Sequence, residues 1–251
     1  MSITVLLWPS TRALAYLEQF KSQGIQPTEI LFLDTGYRVP SELIKEANAW
    51  NYKRYIDFSI DPLEQATDVL GRSPVILKSD NINSASVCEA IQSVGGEFVF
   101  YTGGGIVGAD LINSGKKFIH VHPGIIPARR GSTCFYYSLL EDYSVGATAF
   151  VMDENLDTGA IILKRNFRPN YQIADRQKLF LDYVLDNYLR ATMVPDVLTQ
   201  ISMPSKRERW AKPVCTEPPY FRIHPVLRGL AAKKLNALYV PELPEGLHEI
   251  D

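Results

Sequence analysis

The chain has 251 residues, of which 46% are apolar and 22% are charged, and its formal net charge is -2 at pH 7. This is the composition of an ordinary globular protein that can bury a substantial core. The charge gives no general electrostatic reason to bind nucleic acid or an anionic membrane, so such partners are disfavoured.

The chain begins with an apolar run, MSITVLLWPS, that is too short to span a membrane and has no basic leader. The three cysteines, Cys88, Cys134 and Cys215, are far apart and have no metal-ligand spacing. Their number and spacing fit a reducing compartment better than a disulfide scaffold. We therefore expect a cytoplasmic protein.

Strands and helices are predicted to alternate through the first hundred residues. Apolar and β-branched residues predict a strand at Ile3–Leu7, and a helical repeat of apolar positions predicts a helix that ends at Gly24. Further strands are predicted at 29–33, 75–77 and 98–101, and helices near 41–50 and across 85–93. This alternation indicates a Rossmann-like α/β fold, a mostly parallel twisted sheet with helices on both faces.

Two polar features follow predicted strand ends. A glycine-rich turn, Gly103 to Gly105, comes after the strand at 98–101, and the segment FIHVHPG carries His120 and His122. Residues two apart on a strand point to the same face, so both imidazoles enter the same space. Ligands collect beyond the carboxyl ends of parallel strands, and we expect the turn and His122 to border one cleft.

The pattern changes from Gly146 onwards. Strands are predicted at 147–152 and 161–164, joined by an acidic loop at 153–159, and they extend the sheet with antiparallel members. A long helix is predicted over 171–193, disturbed or ended by Pro195. Seven prolines beyond Ser202 indicate an irregular appendage with a short helix at 226–238. We therefore divide the chain into a catalytic domain, 1–200, and a C-terminal extension, 201–251.

The segment HVHPGIIPARRG, followed by GATAFVMDENLDTGAIIL, closely resembles the core of the N10-formyltetrahydrofolate-dependent formyltransferases. That family includes methionyl-tRNA formyltransferase, glycinamide ribonucleotide transformylase and the sugar N-formyltransferases. Its pattern is Asn-x-His-Pro with an Asp-x-Gly farther along, and the resemblance covers 98–164 well. It implies the formyltransferase fold and the transfer of a formyl group from N10-formyltetrahydrofolate to an amine of a small-molecule or peptide acceptor.

The resemblance also assigns individual positions. His122 falls on the family's catalytic histidine and Asp157 on its catalytic aspartate, whereas His120 occupies the position of the family's asparagine. The positions that fall on the two cofactor-binding loops are Gly104, Gly105, Ile106, Met152, Asp153, Asn155 and Leu156. The turn at 8–11 lacks the glycine-rich phosphate loop of the purine-pathway members, which argues against glycinamide ribonucleotide as the acceptor.

Formyl transfer needs a donor to the developing oxyanion and a route for a proton. An imidazole can serve both needs near neutral pH, and a nearby carboxylate favours its protonated form. We therefore interpret His122 as the polar catalyst and Asp157 as its partner. His120 can replace the asparagine amide with an N-H, but two neighbouring imidazoles resist carrying charge together, so its pH dependence will differ from that of an amide.

Several alternatives remain open at this stage. Arg129 and Arg130 are either a solvated pair or a binding site for an acidic or phosphorylated substrate. His120, His122 and Asp157 could instead be three ligands of a metal-dependent hydrolase, or the chain could be a catalytically degenerate folate-binding domain. The aromatic stretch at 220–225 packs on the main domain or forms a homodimer contact. The identity of the acceptor is left undetermined.

Overall fold

The computed structural model describes residues 2–173 and 179–250. The strands are β1 (Ile3–Leu7), β2 (Glu29–Leu33), β3 (Val75–Leu77), β4 (Phe98–Tyr101), β5 (Lys117–His122), β6 (Val145–Val151), β7 (Ile161–Asn170) and β8 (Gly246–Ile250). They form an eight-stranded sheet in the order β3-β2-β1-β4-β5-β6-β7-β8.

The helices of the described residues lie between these strands and after β7. The α-helices are α1 (Thr11–Ser22), α2 (Ser41–Trp50), α3 (Pro62–Leu70), α4 (Ala85–Ser93), α5 (Ala109–Ile112), α6 (Cys134–Glu141), α7 (Asp186–Ala191), α8 (Val194–Ser202), α9 (Pro204–Arg207) and α10 (Pro225–Ala237). A 3-10 turn covers Tyr52–Arg54, and a π-helical segment, Phe180–Leu185, leads into α7. None of the described helices is long and apolar enough to cross a bilayer.

The first five strands are parallel, as the sequence predicts. Val5 of β1 pairs with Ile30 of β2 on one side and with Phe100 of β4 on the other. All five residues of β1 are buried, because Val5 faces one apolar cluster and Leu6 faces a second one on the opposite side. Helices cover both faces, and this arrangement explains why β1 is a continuous apolar run.

The other three strands are antiparallel and continue the sheet from β5. His120 and His122 of β5 pair with Phe150 and Thr148 of β6, so the two imidazoles share a face as predicted. Strand β8 pairs with β7 at the far edge, a contact that the prediction of an irregular tail did not include. The tail therefore contributes to the main sheet.

The predicted helix over 171–193 is wrong in its first and last parts. Tyr171 to Ile173 are not helical, and residues 174–178 lie outside the described part of the chain. The helical structure that follows ends with α7 at Ala191. Pro195 lies in the first turn of the next helix, α8. Backbone N-H groups in a first turn make no intrahelical hydrogen bond, so the missing N-H of proline costs none there.

Candidate active site

A cavity of about 480 Å³ opens beyond the carboxyl ends of β4 and β5. The sequence-predicted residues on its wall are Gly104, Gly105, Ile106, His120, His122, Met152, Asp153, Asn155, Leu156 and Asp157. The glycine turn and both histidines thus border one cleft, as expected. Arg129 and Arg130 do not line it.

His122 and Asp157 form a buried pair in this cavity. The His122 Nδ1 and Asp157 Oδ2 atoms are 3.4 Å apart, and only 4% and 11% of the two side chains are exposed. The other ring nitrogen, Nε2, lies 2.9 Å from the carbonyl oxygen of Arg129. Because a carbonyl only accepts, Nε2 carries the hydrogen of this bond. Nδ1 therefore faces the Asp157 carboxylate. The contact between Nδ1 and Oδ2 is favourable when one of these two atoms carries a proton that it shares with the other.

Burial lowers the pKa of His122 from its usual value, and the adjacent Asp157 carboxylate opposes that shift. The more distant charge of Arg190 lowers the pKa further, whereas the bond to the Arg129 carbonyl raises it. Burial outweighs the Asp157 carboxylate, so the net shift is downward and His122 is held towards its neutral form.

The backbone around Asp157 fixes the direction of its carboxylate. Asp157 adopts a left-handed conformation, with φ of 54°, which is uncommon for a residue with a side chain. Its Oδ2 accepts a hydrogen bond of 2.8 Å from the backbone N-H of Gly131. Gly131 itself has φ of 101°, and a Cβ there would overlap the backbone of Tyr220. Only glycine fits this position without strain.

His120 lies deeper along the same strand and is uncharged. Its ring centroid is 6.1 Å from that of Tyr101 and 6.0 Å from that of Phe150, and its Nδ1 is buried without a hydrogen-bond partner. Burial holds the pKa of His120 well below its usual value, and the charges of Arg12, Arg190 and His122 act in the same direction. The imidazole is therefore a neutral polar group facing the cavity.

Two arginines on the cavity wall were missed by sequence reasoning. Arg12 belongs to the first turn of α1 and Arg190 to α7. Arg12 follows the end of β1 almost directly, which is a position where ligands meet a parallel sheet, so a signal was present. Arg190 is far from the motif in sequence, and its neighbours indicate only a packed helix.

The structure corrects the substrate-binding role predicted for Arg129 and Arg130. The guanidinium of Arg129 makes two hydrogen bonds to the Asp142 carboxylate, at 2.9 and 3.1 Å, and also pairs with Glu141. Arg130 donates to the backbone carbonyl oxygens of Leu156 and Glu217, at 3.1 and 2.6 Å. Both side chains are committed to other parts of the protein, outside the cavity.

The predicted alternative of a three-ligand metal site has no support in the described residues. Among residues 2–173 and 179–250, no group of three histidine, cysteine or acidic side chains is arranged to hold a metal ion. The reason lies in His122, because one ring nitrogen is bonded to the Arg129 carbonyl and the other faces Asp157. Neither nitrogen is free to join His120 on a shared ion.

Residues 42–170, about half of the chain, match the sequence profile of the formyl transferase family. The mouse mitochondrial 10-formyltetrahydrofolate dehydrogenase is 29% identical over 195 residues, which cover 70% of this chain and 21% of that protein. This chain thus spans about a fifth of the length of that curated relative.

Solved structures of two enzymes resemble the fold. A sugar N-formyltransferase from Shewanella sp FDAARGOS_354 has a TM-score of 0.54 at 14% identity and covers 94% of this chain and 88% of its own. Glycinamide ribonucleotide transformylase 1 from Symbiobacterium toebii has a TM-score of 0.54 at 16% identity and covers 86% of this chain and 92% of its own. At these identities the likeness establishes the α/β fold alone.

Proposed function

This chain belongs to the formyl transferase family, and we propose that it transfers a formyl group from N10-formyltetrahydrofolate to an amine of a small acceptor. The observation that carries the proposal is the buried His122-Asp157 pair at the wall of a cavity large enough for a ligand. The mouse relative, which is named for 10-formyltetrahydrofolate, supports this donor.

The two loops at the cavity mouth fit a flat heteroaromatic ring. Gly104 and Gly105 have no side chains, so a ring can approach the backbone there. Ile106 and Leu156 are apolar yet 78% and 50% exposed, and a planar ligand between them would remove that apolar surface from water. We assign the pterin of the donor to this part of the cavity.

His122 and Asp157 handle the charge and the proton of the reaction. The amine nitrogen bonds to the formyl carbon, the bond from that carbon to N10 breaks, and the proton lost by the amine ends on N10. Asp157 accepts the proton of the amine and passes it to Nδ1 of His122, and the resulting imidazolium stabilises the oxygen that becomes negative before the proton moves on to N10. The 3.4 Å separation of Nδ1 and Oδ2 is longer than a strong charged hydrogen bond, so both atoms can also interact with the substrate from their fixed positions.

His120 provides a second polar contact for the developing oxyanion. Its neutral ring lines the cavity, its Nδ1 has no hydrogen-bond partner, and an imidazole N-H can replace the amide donor of the family's asparagine. Loss of one such donor typically costs about 3 to 4 kcal/mol of transition-state stabilisation.

Replacement of His122 by alanine and of Asp157 by asparagine tests the proposal. We expect each variant to lower kcat by about 100- to 10,000-fold, the usual contribution of a positioned acid or base. Tetrahydrofolate release is measured with N10-formyltetrahydrofolate and a panel of primary amines. His248→Asn is the matched control, because His248 is remote from the cavity.

A binding measurement keeps the result independent of the acceptor. Calorimetry with 5-formyltetrahydrofolate, a stable analogue, should show binding to the wild type and to His122→Ala, and weaker binding to Ile106→Asp. Unchanged turnover in both active-site variants, or no binding of the analogue to the wild type, would contradict the proposed function.

A further inference from the structure

Arg12 is a cation of the cavity wall that has no counter-ion among the described residues. Its Nη1 donates a hydrogen bond of 2.8 Å to the backbone carbonyl oxygen of Gly103, and its Nε is buried with no partner. In the part of the chain that the structure describes, no carboxylate forms an ion pair with it. A largely buried guanidinium without a paired counter-charge is costly unless a ligand supplies one.

The neighbouring Arg190 provides an internal comparison. Arg190 makes two hydrogen bonds to the Asp186 carboxylate, at 3.1 and 2.7 Å. Although burial acts to lower it, the pKa of Arg190 is raised because Asp186 balances its charge. By contrast, burial and the charge of Arg190 lower the pKa of Arg12 to about 10. Asp186 thus pairs directly with Arg190, whereas its charge also raises the pKa of Arg12 but does not offset burial there.

The position of Arg12 in its helix is also unfavourable for a cation. It lies in the first turn of α1, which contains no acidic residue, and the N-terminus of a helix carries partial positive charge. An anion at this point would be favoured by the helix and by the guanidinium together. A negative group bound next to Arg12 would therefore lower the electrostatic energy of both the guanidinium and the helix N-terminus.

The cavity wall carries both positive and negative side chains. Arg12 lies close enough to His120 to lower its pKa, after burial, and the loop after β6 supplies Asp153, Glu154 and Asp157. An acceptor that carries both an amine and an anion matches this arrangement. Its amine would turn towards the Asp157 carboxylate and its anion towards Arg12.

We propose that Arg12 selects the formyl acceptor by binding a compact oxyanion, a carboxylate or a phosphate, that the acceptor carries in addition to its amine. This inference rests on the proposed function of the same cavity. It makes Arg12 a specificity-determining residue, and it defines the acceptor as an anionic amine. The planar guanidinium suits either oxyanion, because both present two oxygens to its N-H groups.

Matched pairs of amines distinguish the two sources of the anion. An α-amino acid and its amide differ in a carboxylate, whereas an amino sugar and its 6-phosphate differ in a phosphate. Each amine is tested for formylation and for binding to the protein saturated with 5-formyltetrahydrofolate. We expect the wild type to prefer the anionic member of at least one pair by about 10- to 100-fold, the range for hydrogen bonds to a charged group.

Arg12→Gln is the critical variant, since glutamine can still donate to the Gly103 carbonyl without carrying charge. We expect it to abolish the preference for the anionic amine, and to leave the dissociation constant of 5-formyltetrahydrofolate unchanged. Its melting temperature should equal or exceed that of the wild type, because an uncompensated buried charge has been removed. Arg72→Gln, at an exposed arginine remote from the cavity, is the control.

Three outcomes would overturn the assignment of Arg12. One is the absence of any anionic amine that binds the wild type more tightly than Arg12→Gln. Another is weaker binding of 5-formyltetrahydrofolate to Arg12→Gln with the acceptor preference intact, which would assign Arg12 to the donor. The third is a lower melting temperature of Arg12→Gln together with an equal loss of affinity for both amines of a pair, which would show that Arg12 has a structural role. Failure of the proposed function is recognised separately, because the wild type then does not bind 5-formyltetrahydrofolate.

Discussion

The ring of His120 experiences two guanidinium charges, from Arg12 and Arg190, and a second imidazole, His122. Burial and these neighbours keep it neutral in the folded protein at pH values where a free histidine is already protonated. The unfolded chain therefore takes up a proton as the pH falls below about 6.5, and the folded chain does not. His120 thus makes the folded state less stable as the pH falls.

His120→Asn should remove this acid sensitivity. Between about pH 6.5 and 5, we expect the free energy of unfolding to fall less steeply in the variant than in the wild type, by at most about 1.4 kcal/mol per pH unit. Burial raises the pKa of Glu18 to about 7, so its contribution to stability increases as the pH falls. This contribution is the same in both proteins and cancels when their free energies of unfolding are subtracted. Urea titrations at several pH values give the comparison, and parallel curves for the two proteins would contradict it.

Gly131 controls the Asp157 carboxylate through its backbone. Gly131→Ala adds a Cβ at φ of 101° against the Tyr220 backbone, and we expect a loss of about 2 to 4 kcal/mol of stability. Gly229→Ala is the matched control, because Gly229 lies in α10 with open space around it and should gain about 0.5 to 1 kcal/mol. Equal effects at the two glycines, measured by urea unfolding, would rule out this account of Gly131.

At the scale of elements, the loop between β6 and β7 is held by contacts from several parts of the chain. Besides the Gly131 bond to Asp157, Arg130 binds the Leu156 carbonyl and Asn113 donates to Glu154 at 2.7 Å. Lys212 forms an ion pair of 3.0 Å with Asp153. This loop forms one side of the proposed donor site, so its anchors determine whether that site is ready to bind.

Arg130→Met should release the loop from both the β5-α6 connection and the tail. We expect the dissociation constant of 5-formyltetrahydrofolate to rise by about 10-fold, because a mobile loop loses conformational entropy on binding. Arg168→Met, at an exposed position of β7, should bind as the wild type does. Calorimetry on the three proteins makes the comparison, and identical affinities would show that Arg130 does not support the donor loop.

Much of the parallel half of the sheet could be predicted because its strands are short, mostly apolar runs. Helices α3 and α6 were not anticipated, although Asp61 before Pro62 is a helix-start signal for α3. Strand β8 is half-exposed and pairs only at the edge, and its GLHEI sequence lacks the continuous apolar pattern of a buried strand. β8 forms because it pairs with β7, and this tertiary contact cannot be read from the local sequence.

The candidate site also has features that the sequence predicts and features that it does not. His120 and His122 could be placed on one face because the two-residue period of a strand is local information. The contact of Arg12 with Gly103 joins segments that follow two neighbouring strands, β1 and β4, but lie 91 residues apart in the chain, and no local pattern encodes it. The commitment of Arg129 to Asp142 likewise depends on how α6 ends next to it.

At the scale of the whole molecule, the tail is joined to the sheet through a buried side chain. The Nδ2 atom of Asn170 at the end of β7 donates to the carbonyl oxygens of Val240, Leu243 and Pro244, and its Oδ1 accepts from the N-H of Val240. Helix α10 packs against α6, which follows the motif. The predicted boundary near residue 200 therefore separates segments that share one sheet.

Binding of the proposed donor should stabilise the protein as a whole. At a concentration of 5-formyltetrahydrofolate about 100 times its dissociation constant, linkage predicts about 2.7 kcal/mol of added stability. For a chain of this size that is a rise of about 5 to 10 °C in Tm. Differential scanning fluorimetry measures the shift, and p-aminobenzoylglutamate, which lacks the pterin, is the control. No shift under these conditions would exclude a donor site of this affinity.

The path of the chain also determines when the cavity can form during synthesis. Strand β1 lies between β2 and β4, so it gains its second neighbour only after residue 101 has been made. Thr11 on α1 receives a hydrogen bond of 2.7 Å from Asn187, and Arg190 closes the same wall. A nascent chain that has released only the histidine motif from the ribosome therefore lacks the part of the wall that Arg190 supplies. The site closes only when α7 emerges and docks onto the first helix that was synthesised.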